Sequence, residues 1–386
     1  MHFPSATHGH LPAALAAFWV ATLAGAPFLD AAAQQGGHYE FVPGSRQAKW
    51  VPGPAPLAGQ QMQRQYQVVG APVPTQSRVQ QAAPSRSGSR RGADYSDSVT
   101  VDGQTRTYVI HVPPGYDGKR ALPVVMAFHG LGMNATMMYA LTGFTGLADR
   151  QGFIVIFPNA AGGRWQDGLS NGRDDVSFVQ AMLAKLERTV SVDTRRVYAC
   201  GISNGGYFSQ LLALAMPDRI AAAGVVAATL TRGGAAQAGG KSVPIAFFLG
   251  TDDPLLPWGD GRNKELGKLG EVLGISSLGS IDGAAAKIGG LCTVPETIAF
   301  WTAHNGAGGT PYVSQMPDRA PNDGTRVQKE TYGSSSSQVV LYRITGGGHT
   351  WPGSIDLKAM RDVSGNTSQD IDATELLWDF FKPLSR

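Results

Sequence analysis

Short apolar runs alternate with stretches of helical periodicity along the C-terminal three quarters of the chain. Runs such as Leu122–Phe128 are typical of strands buried on both faces of a sheet. Predicted strands are two around the turn Asp102-Gly103, followed by 122–128, 153–157, 196–200, 221–228, 243–249, 326–332 and 339–344. Predicted helices are 134–150, 175–189, 203–216, 296–304 and 371–381. This order predicts an α/β fold with a mostly parallel central sheet and helices on both faces.

The pattern is absent from residues 34–95, which are rich in Gln, Pro, Ser, Gly and Arg. Such a composition buries too little apolar surface to offset chain entropy, so it predicts a disordered basic linker. A solvated tether is favoured over adhesion to an anionic surface. Residues 41–93 hold seven basic and no acidic residues, so the net charge of +3 belongs to the linker. The predicted catalytic domain, 96–386, is close to neutral, and we expect no nucleic-acid binding by it.

An apolar run at 11–28 precedes the small residues Ala31, Ala32 and Ala33. This order predicts a signal peptide over 1–33, cleaved before Gln34, although the preceding residues lack Lys and Arg. A permanent anchor is the alternative, but the run is short for a membrane span and contains Pro27. We therefore expect an exported protein, extracellular or periplasmic, without a stable membrane anchor.

The chain has two cysteines, Cys200 and Cys292. An exported protein could join them in a disulfide. Because Cys200 ends a predicted buried strand, two separate buried thiols are the favoured interpretation.

The segment Gly201-Ile202-Ser203-Asn204-Gly205 is the first candidate for chemistry. Its Gly-x-Ser-x-Gly pattern is weak alone, because 50 glycines make a chance match easy. Its setting is more informative, since a predicted strand leads in and a predicted helix leads out. A sharp strand-to-helix turn presents a strained serine above the sheet, and the glycines relieve steric clashes. This setting predicts Ser203 as a nucleophile; the alternative is an N-capping serine in a glycine-rich turn.

A serine nucleophile needs a base, which in this architecture follows an acid in chain order. Two histidines follow Ser203. His349 lies in a glycine-rich loop after predicted strand 339–344, where a base is expected. His304 ends a predicted helix, where complementing the helix dipole explains it better.

Two aspartates, Asp252 and Asp253, follow predicted strand 243–249. Pro254 holds the residue before it extended, which suits a side chain aimed across a loop. Asp253 is therefore favoured over Asp252 as the acid that holds the imidazole tautomer.

A tetrahedral intermediate needs two backbone N–H donors for its oxyanion. The first predicted donor is Asn204, directly after the nucleophile. The second is Leu131, in the loop His129-Gly130-Leu131-Gly132 after predicted strand 122–128.

Several blocks in order resemble the secreted esterases grouped with polyhydroxybutyrate depolymerases, which include feruloyl and acetylxylan esterases. The blocks are LPVVMAFHGLG, GFIVIFPNA, DDVSFVQAM, VYACGISNGGYFS, GTDDPLLPW, ETIAFWTAHNG, PDRAPNDGTRV and GGGHTWPG. The resemblance implies an α/β-hydrolase fold, a triad of Ser203, Asp253 and His349, oxyanion donors at Leu131 and Asn204, and no cofactor.

The expected function is hydrolysis of a carboxylic ester through an acyl-enzyme. A hydroxyalkanoate ester is the favoured substrate, and a feruloyl or acetyl ester of plant polysaccharide is the alternative. A peptidase or a non-catalytic polymer-binding protein is less expected. Trp165 and Trp351, on predicted loops at the catalytic side, could line a substrate subsite or pack at its rim. The glycine-rich stretch 259–290 is a candidate lid.

Overall fold

A computed structural model describes residues 93–166, 175–256, 258, 290–356, 358 and 361–386, and the backbone of strands at 37–41 and 48–52. The predicted signal peptide, most of the predicted linker and nearly all of the candidate lid lie outside these residues. No helix within the described ranges is long and apolar enough to cross a membrane.

The chain divides into two units, 24–88 and the remainder. In the smaller unit, β1 (Gly37–Phe41) pairs antiparallel with β2 (Ala48–Pro52), and Tyr39 is in register with Trp50. This ladder differs from the structureless linker predicted there. Tyr39 and Phe41 alternate with polar residues in β1, and Trp50 is the aromatic residue of β2; segments of five residues are too short to show a sustained periodicity.

The larger unit is built on a ten-stranded sheet with the order β10-β11-β12-β9-β8-β7-β5-β6-β4-β3. Its strands are β3 (Ala93–Val101), β4 (Gln104–Val112), β5 (Leu122–Phe128), β6 (Ile154–Pro158), β7 (Val192–Ile202), β8 (Ala222–Val226), β9 (Ile245–Gly250), β10 (Tyr312–Gln315), β11 (Arg326–Tyr332) and β12 (Val339–Thr345). The six strands β6, β5, β7, β8, β9 and β12 are parallel, and the outer strands join them antiparallel. The predicted fold class is confirmed.

Helices flank this sheet along the chain. They are α1 (Ala135–Thr142), α2 (Phe144–Gln151), α3 (Asp175–Thr189), α4 (Asn204–Ala215), α5 (Arg232–Ala235), α6 (Val294–His304), α7 (Arg361–Ser364) and α8 (Ala373–Phe381). The single helix predicted over 134–150 is wrong. Gly143 adopts φ 63°, a left-handed conformation that ends α1 and begins α2.

The central strands separate two apolar layers. Along the fully buried β5, Met126 and Phe128 belong to one core cluster, which includes Phe208 of α4. Ala127, between them, belongs to the other cluster, which includes Trp378 of α8. This alternation is the two-residue period of a strand with both faces covered. The apolar layers on both faces therefore hold the carboxyl ends of the parallel strands in place.

Candidate active site

Ser203 stands between the end of β7 and the start of α4. Its backbone has φ 54° and ψ −122°, a conformation that costs a non-glycine residue about 1–3 kcal/mol. The Ser203 N–H donates to the Val226 carbonyl of β8 at 2.9 Å, which ties the turn to the neighbouring strand. The structure therefore has the strained strand-to-helix turn that the sequence predicted around this serine.

The glycines around Ser203 are required by close backbone approach. A Cβ on Gly201 would lie 2.4 Å from the Gly205 carbonyl oxygen, and one on Gly205 would lie 2.1 Å from the Phe128 carbonyl oxygen. A Cβ on Gly206 would lie 2.8 Å from the Ala228 Cβ. These contacts let the turn sit directly against the carboxyl ends of β5 and β8.

We expect Gly205→Ala to destabilise the fold by at least about 3 kcal/mol, because the new methyl group would overlap the end of β5. Gly146→Ala is the matched control: it lies in α2, where a Cβ would meet only the end of the Arg150 side chain at 3.7 Å. That variant should gain up to about 1 kcal/mol from helix propensity. Urea unfolding of both variants measures the difference, and equal stabilities would contradict the close packing of the turn.

Asp253 and His349 are brought together by the loops after β9 and β12. Asp253 Oδ2 lies 2.8 Å from His349 Nδ1, and the Asp253 side chain is fully buried. Its Oδ1 accepts the Leu255 N–H at 2.8 Å. Asp252 differs, since it is exposed and its Oδ1 accepts the Thr251 hydroxyl. The geometry therefore favours Asp253 over Asp252 as the partner of the histidine.

The loop that carries His349 is fixed by its backbone. The Gly348 N–H donates to the Asn366 carbonyl and the His349 N–H to the Ser364 carbonyl. Gly250, the last residue of β9, has room only for a hydrogen, because a Cβ there would lie 2.1 Å from the Gly347 carbonyl oxygen. The His349 ring is thus oriented by the Asp253 carboxylate and by the backbone hydrogen bonds of its own loop.

His304 lies at the other edge of the sheet. It ends α6, stacks on Phe300, and has Nε2 3.2 Å from the Lys241 carbonyl. The next residue, Asn305, bonds to Val243, just before β9 begins, whereas Asp253 follows the end of β9. His304 is therefore remote from the Asp253 loop.

Ser203, Asp253 and His349 each follow a parallel strand, β7, β9 and β12, so they share the edge where the carboxyl ends meet. Among the described side chains, the Ser203 hydroxyl makes no hydrogen bond to the His349 ring. Such bonds are often longer in a ligand-free site than in a substrate complex.

The loop after β5 lies against Ser203. A Cβ on Gly130 would lie 3.6 Å from the Ser203 Cβ, and the Gly132 N–H donates to the Gly163 carbonyl at 2.9 Å. Within the described part of the chain, the Leu131 N–H donates to no protein group. A free N–H beside a nucleophile can receive an oxyanion.

His129, before this loop, is a buried neutral side chain. Its Nε2 lies 3.1 Å from the Ala160 N–H and therefore accepts that proton, so Nδ1 donates to the Gly130 carbonyl at 2.7 Å. Burial lowers the pKa of His129 to about 4.

This shift predicts a pH-dependent stability. Between about pH 6.5 and 4 the unfolded chain protonates His129 and the folded chain does not, so the free energy of unfolding falls as pH is lowered. The total loss across this window is about 3 kcal/mol. His129→Gln should lack this component, which urea unfolding at pH 7.5 and 4.5 would measure. Parallel losses in wild type and variant would contradict the buried neutral ring.

The predicted subsite role of Trp165 and Trp351 is corrected by their burial. Trp165 is 0% exposed and stacks on Phe208, and Trp351 is 1% exposed and donates to the Thr374 hydroxyl. Neither ring reaches a surface where a substrate could touch it. Both complete the core beneath the loops, because a large ring next to a glycine-rich loop fills space that the loop cannot.

The two cysteines are free and buried, which confirms the favoured interpretation of separate thiols. Burial raises the pKa of both thiols, so neither is an activated nucleophile. Among the described residues, no group of three His, Cys, Asp or Glu side chains is placed to hold a metal ion.

Comparison with known proteins adds a similarity to esterases. Residues 106–241 match the family model described as esterase PHB depolymerase. The chain is 28% identical over 293 residues to NocK, named as an esterase, from Nocardia uniformis, covering 73% of this chain and 80% of NocK. The predicted resemblance is confirmed. The chain is an esterase of the α/β-hydrolase fold.

Two further relatives of this esterase carry substrate names. Poly(3-hydroxyalkanoate) depolymerase C from Paucimonas lemoignei is 28% identical over 256 residues, 63% of this chain and 58% of the relative. Feruloyl esterase C from Emericella nidulans is 31% identical over 159 residues, 39% of this chain and 56% of the relative. The esterase thus spans less than two thirds of each. An acetyl xylan esterase structure from Aspergillus awamori aligns with TM-score 0.46 and 18% identity, over 69% of this chain and 98% of that one.

Proposed function

We propose that this protein is a secreted serine esterase that forms an acyl-enzyme on Ser203. The observation that carries the proposal is the strained Ser203 turn, which shares its edge of the sheet with the Asp253–His349 pair. A backbone in this conformation exposes a serine hydroxyl at a helix N-terminus, where a substrate carbonyl can approach it.

The proposed reaction has two halves. Ser203 Oγ attacks the ester carbonyl while His349 Nε2 takes the hydroxyl proton, and the Leu131 and Asn204 N–H groups bind the oxyanion. The alcohol leaves with the proton from His349, which leaves an acyl group on Ser203. Water then attacks the acyl carbonyl and gives a proton to His349, which returns it to Ser203 Oγ as the acyl bond breaks and the acid is released. Asp253 accepts the His349 Nδ1–H bond and stabilises the imidazolium in both halves.

A hydroxyalkanoate ester, as polymer or oligomer, is the proposed substrate. It is supported by the matched family model and by the relative named poly(3-hydroxyalkanoate) depolymerase C. A feruloyl or acetylxylan ester is the second candidate, supported by the relatives named feruloyl esterase C and acetylxylan esterase/xylanase XynS20E.

A side-by-side assay of three substrates tests this choice: hydroxybutyrate oligomers, methyl ferulate and acetylated xylan. We expect the highest kcat/KM on the hydroxybutyrate oligomers. Turnover of methyl ferulate alone would reverse the choice. Cleavage of a peptide substrate without any ester turnover would instead favour a peptidase, and no turnover at all a polymer-binding protein.

Export is proposed from the apolar run at 11–28 and the Ala31-Ala32-Ala33 site. N-terminal sequencing of protein from the culture medium or periplasm should begin at Gln34. A retained Met1 on membrane-bound protein would contradict cleavage.

A further inference from the structure

A buried ion pair lies beneath the loops of the candidate site. Arg106 Nη2 is 2.6 Å from Asp175 Oδ1, and the two side chains are 8% and 0% exposed. The guanidinium also lies 4.2 Å from the centre of the Phe178 ring. A buried ion pair adds little net folding free energy compared with apolar residues of the same volume, so it is better explained by what it holds in place.

The pair holds both ends of one loop, residues 159–166, which we call the bracket loop. At its end, the Gln166 N–H donates to Asp175 Oδ2 at 2.7 Å. At its start, Arg106 Nη2 lies 3.5 Å from the Asn159 carbonyl oxygen. Both carboxylate oxygens of Asp175 are therefore used, one for the arginine and one for the bracket loop.

The bracket loop binds the residue after the candidate nucleophile. The Trp165 N–H donates to the Asn204 Oδ1 at 2.6 Å, and Asn204 Nδ2 donates to the Trp165 carbonyl at 3.2 Å. This two-bond clamp fixes Asn204, whose backbone N–H is one proposed oxyanion donor.

The same loop binds the segment that carries the other proposed donor, Leu131. The Gly163 carbonyl accepts the Gly132 N–H at 2.9 Å. The Trp165 Nε1–H donates to the His129 carbonyl at 3.0 Å, and the Ala160 N–H donates to the His129 ring at 3.1 Å. Three bonds thus fix the segment on both sides of Leu131.

We propose that Arg106 and Asp175 are positioning residues that set the separation of the Leu131 and Asn204 N–H donors through the bracket loop. This inference rests on the proposed function, since it assigns those two donors to the oxyanion. Oxyanion donors act only when fixed at the place where charge develops, and misplacement by about 1 Å can cost 10²-fold in rate. The pair touches no substrate, so its removal should affect kcat more than KM.

The test uses Asp175→Asn in the full-length protein. The amide keeps the size of the side chain but cannot accept bonds on both of its ends. We expect kcat for p-nitrophenyl acetate to fall about 10- to 100-fold, while KM stays within about threefold of wild type. The inhibition constant of phenylboronic acid should rise by about the same factor by which kcat falls. The boronate adduct carries a tetrahedral oxyanion, so a purely structural role would not link the two quantities.

Asp193→Asn is the matched control. Asp193 is a partly buried carboxylate that accepts bonds from the Arg195 N–H and the Arg196 side chain, and it lies at the start of β7, on the other edge of the sheet from Ser203. It should keep kcat within about twofold.

A second variant tests the proposal if Asp175→Asn does not fold. The double variant Arg106→Met, Asp175→Leu replaces the pair by apolar groups, a change that buried ion pairs often tolerate. It should fold and show the same loss of kcat and of boronate affinity. Wild-type kcat in the folded double variant would overturn the proposal, and so would its failure to fold, which would make the pair a stability element.

Ser203→Ala in the same assay separates the two proposals. If it abolishes turnover while the Asp175 variants stay fully active, only the positioning proposal fails. If it leaves turnover intact, the proposed function fails.

Discussion

Ser203→Ala is expected to lower kcat for p-nitrophenyl acetate about 10⁶-fold, with little change in the free energy of unfolding. The structure gives the reason: Ser203 holds a backbone conformation at φ 54° that costs free energy, and its side chain stands at the strand-to-helix turn without being fully buried. Alanine keeps that backbone but removes the atom that forms the acyl bond. Stopped-time assays at high enzyme concentration, with urea unfolding alongside, measure both quantities.

Ser209→Ala supplies the control on the same helix. Ser209 is fully buried in α4, and its hydroxyl donates to the Gly205 carbonyl at 2.8 Å. Its loss should reduce stability by about 1 kcal/mol and leave kcat within about threefold. Comparable losses of kcat in the two variants would show that any disturbance of α4 impairs the enzyme, and would remove the support for a nucleophilic serine.

Asp253→Asn is expected to lower kcat about 10⁴-fold, because an amide facing His349 Nδ1 favours the wrong imidazole tautomer and cannot stabilise the imidazolium. The buried 2.8 Å contact between Asp253 and His349 makes this effect large. The measurement is kcat for p-nitrophenyl acetate in wild type and variant.

Asp252→Asn provides a neighbouring control. Its carboxylate is exposed and bound to Thr251, so kcat should stay within about twofold of wild type. A larger loss of kcat in Asp252→Asn than in Asp253→Asn would assign the acid to Asp252 and contradict the geometry of the loop after β9.

The central strands and most helices were predictable because their residues are apolar on both faces or at helical spacing. The exposed edge strand β10 was not, since the four residues Tyr312–Gln315 carry no alternation of burial that a pattern could show. The break between α1 and α2 depends on one glycine, Gly143, which a helix can also tolerate in its interior.

The placement of Ser203, Asp253 and His349 at one edge of the sheet could be predicted, because each residue follows a strand of one parallel sheet. The ion pair beneath them could not. Asp175 at the start of a predicted helix suggests a helix cap, and its partner Arg106 lies 69 residues away on β4. Likewise, nothing local in the sequence distinguishes a rim tryptophan from the buried Trp165, whose stacking partners come from α3 and α4.

Peptide mapping after reaction with a fluorophosphonate tests the central claim most directly, because it reports which side chain is the nucleophile in the folded protein. The account predicts one phosphonyl adduct, on the peptide that contains Ser203, which appears in the native protein, is absent after unfolding in urea, and forms far more slowly in His349→Ala. An adduct on another residue, or a fully active protein that Ser203 modification does not inhibit, would contradict it.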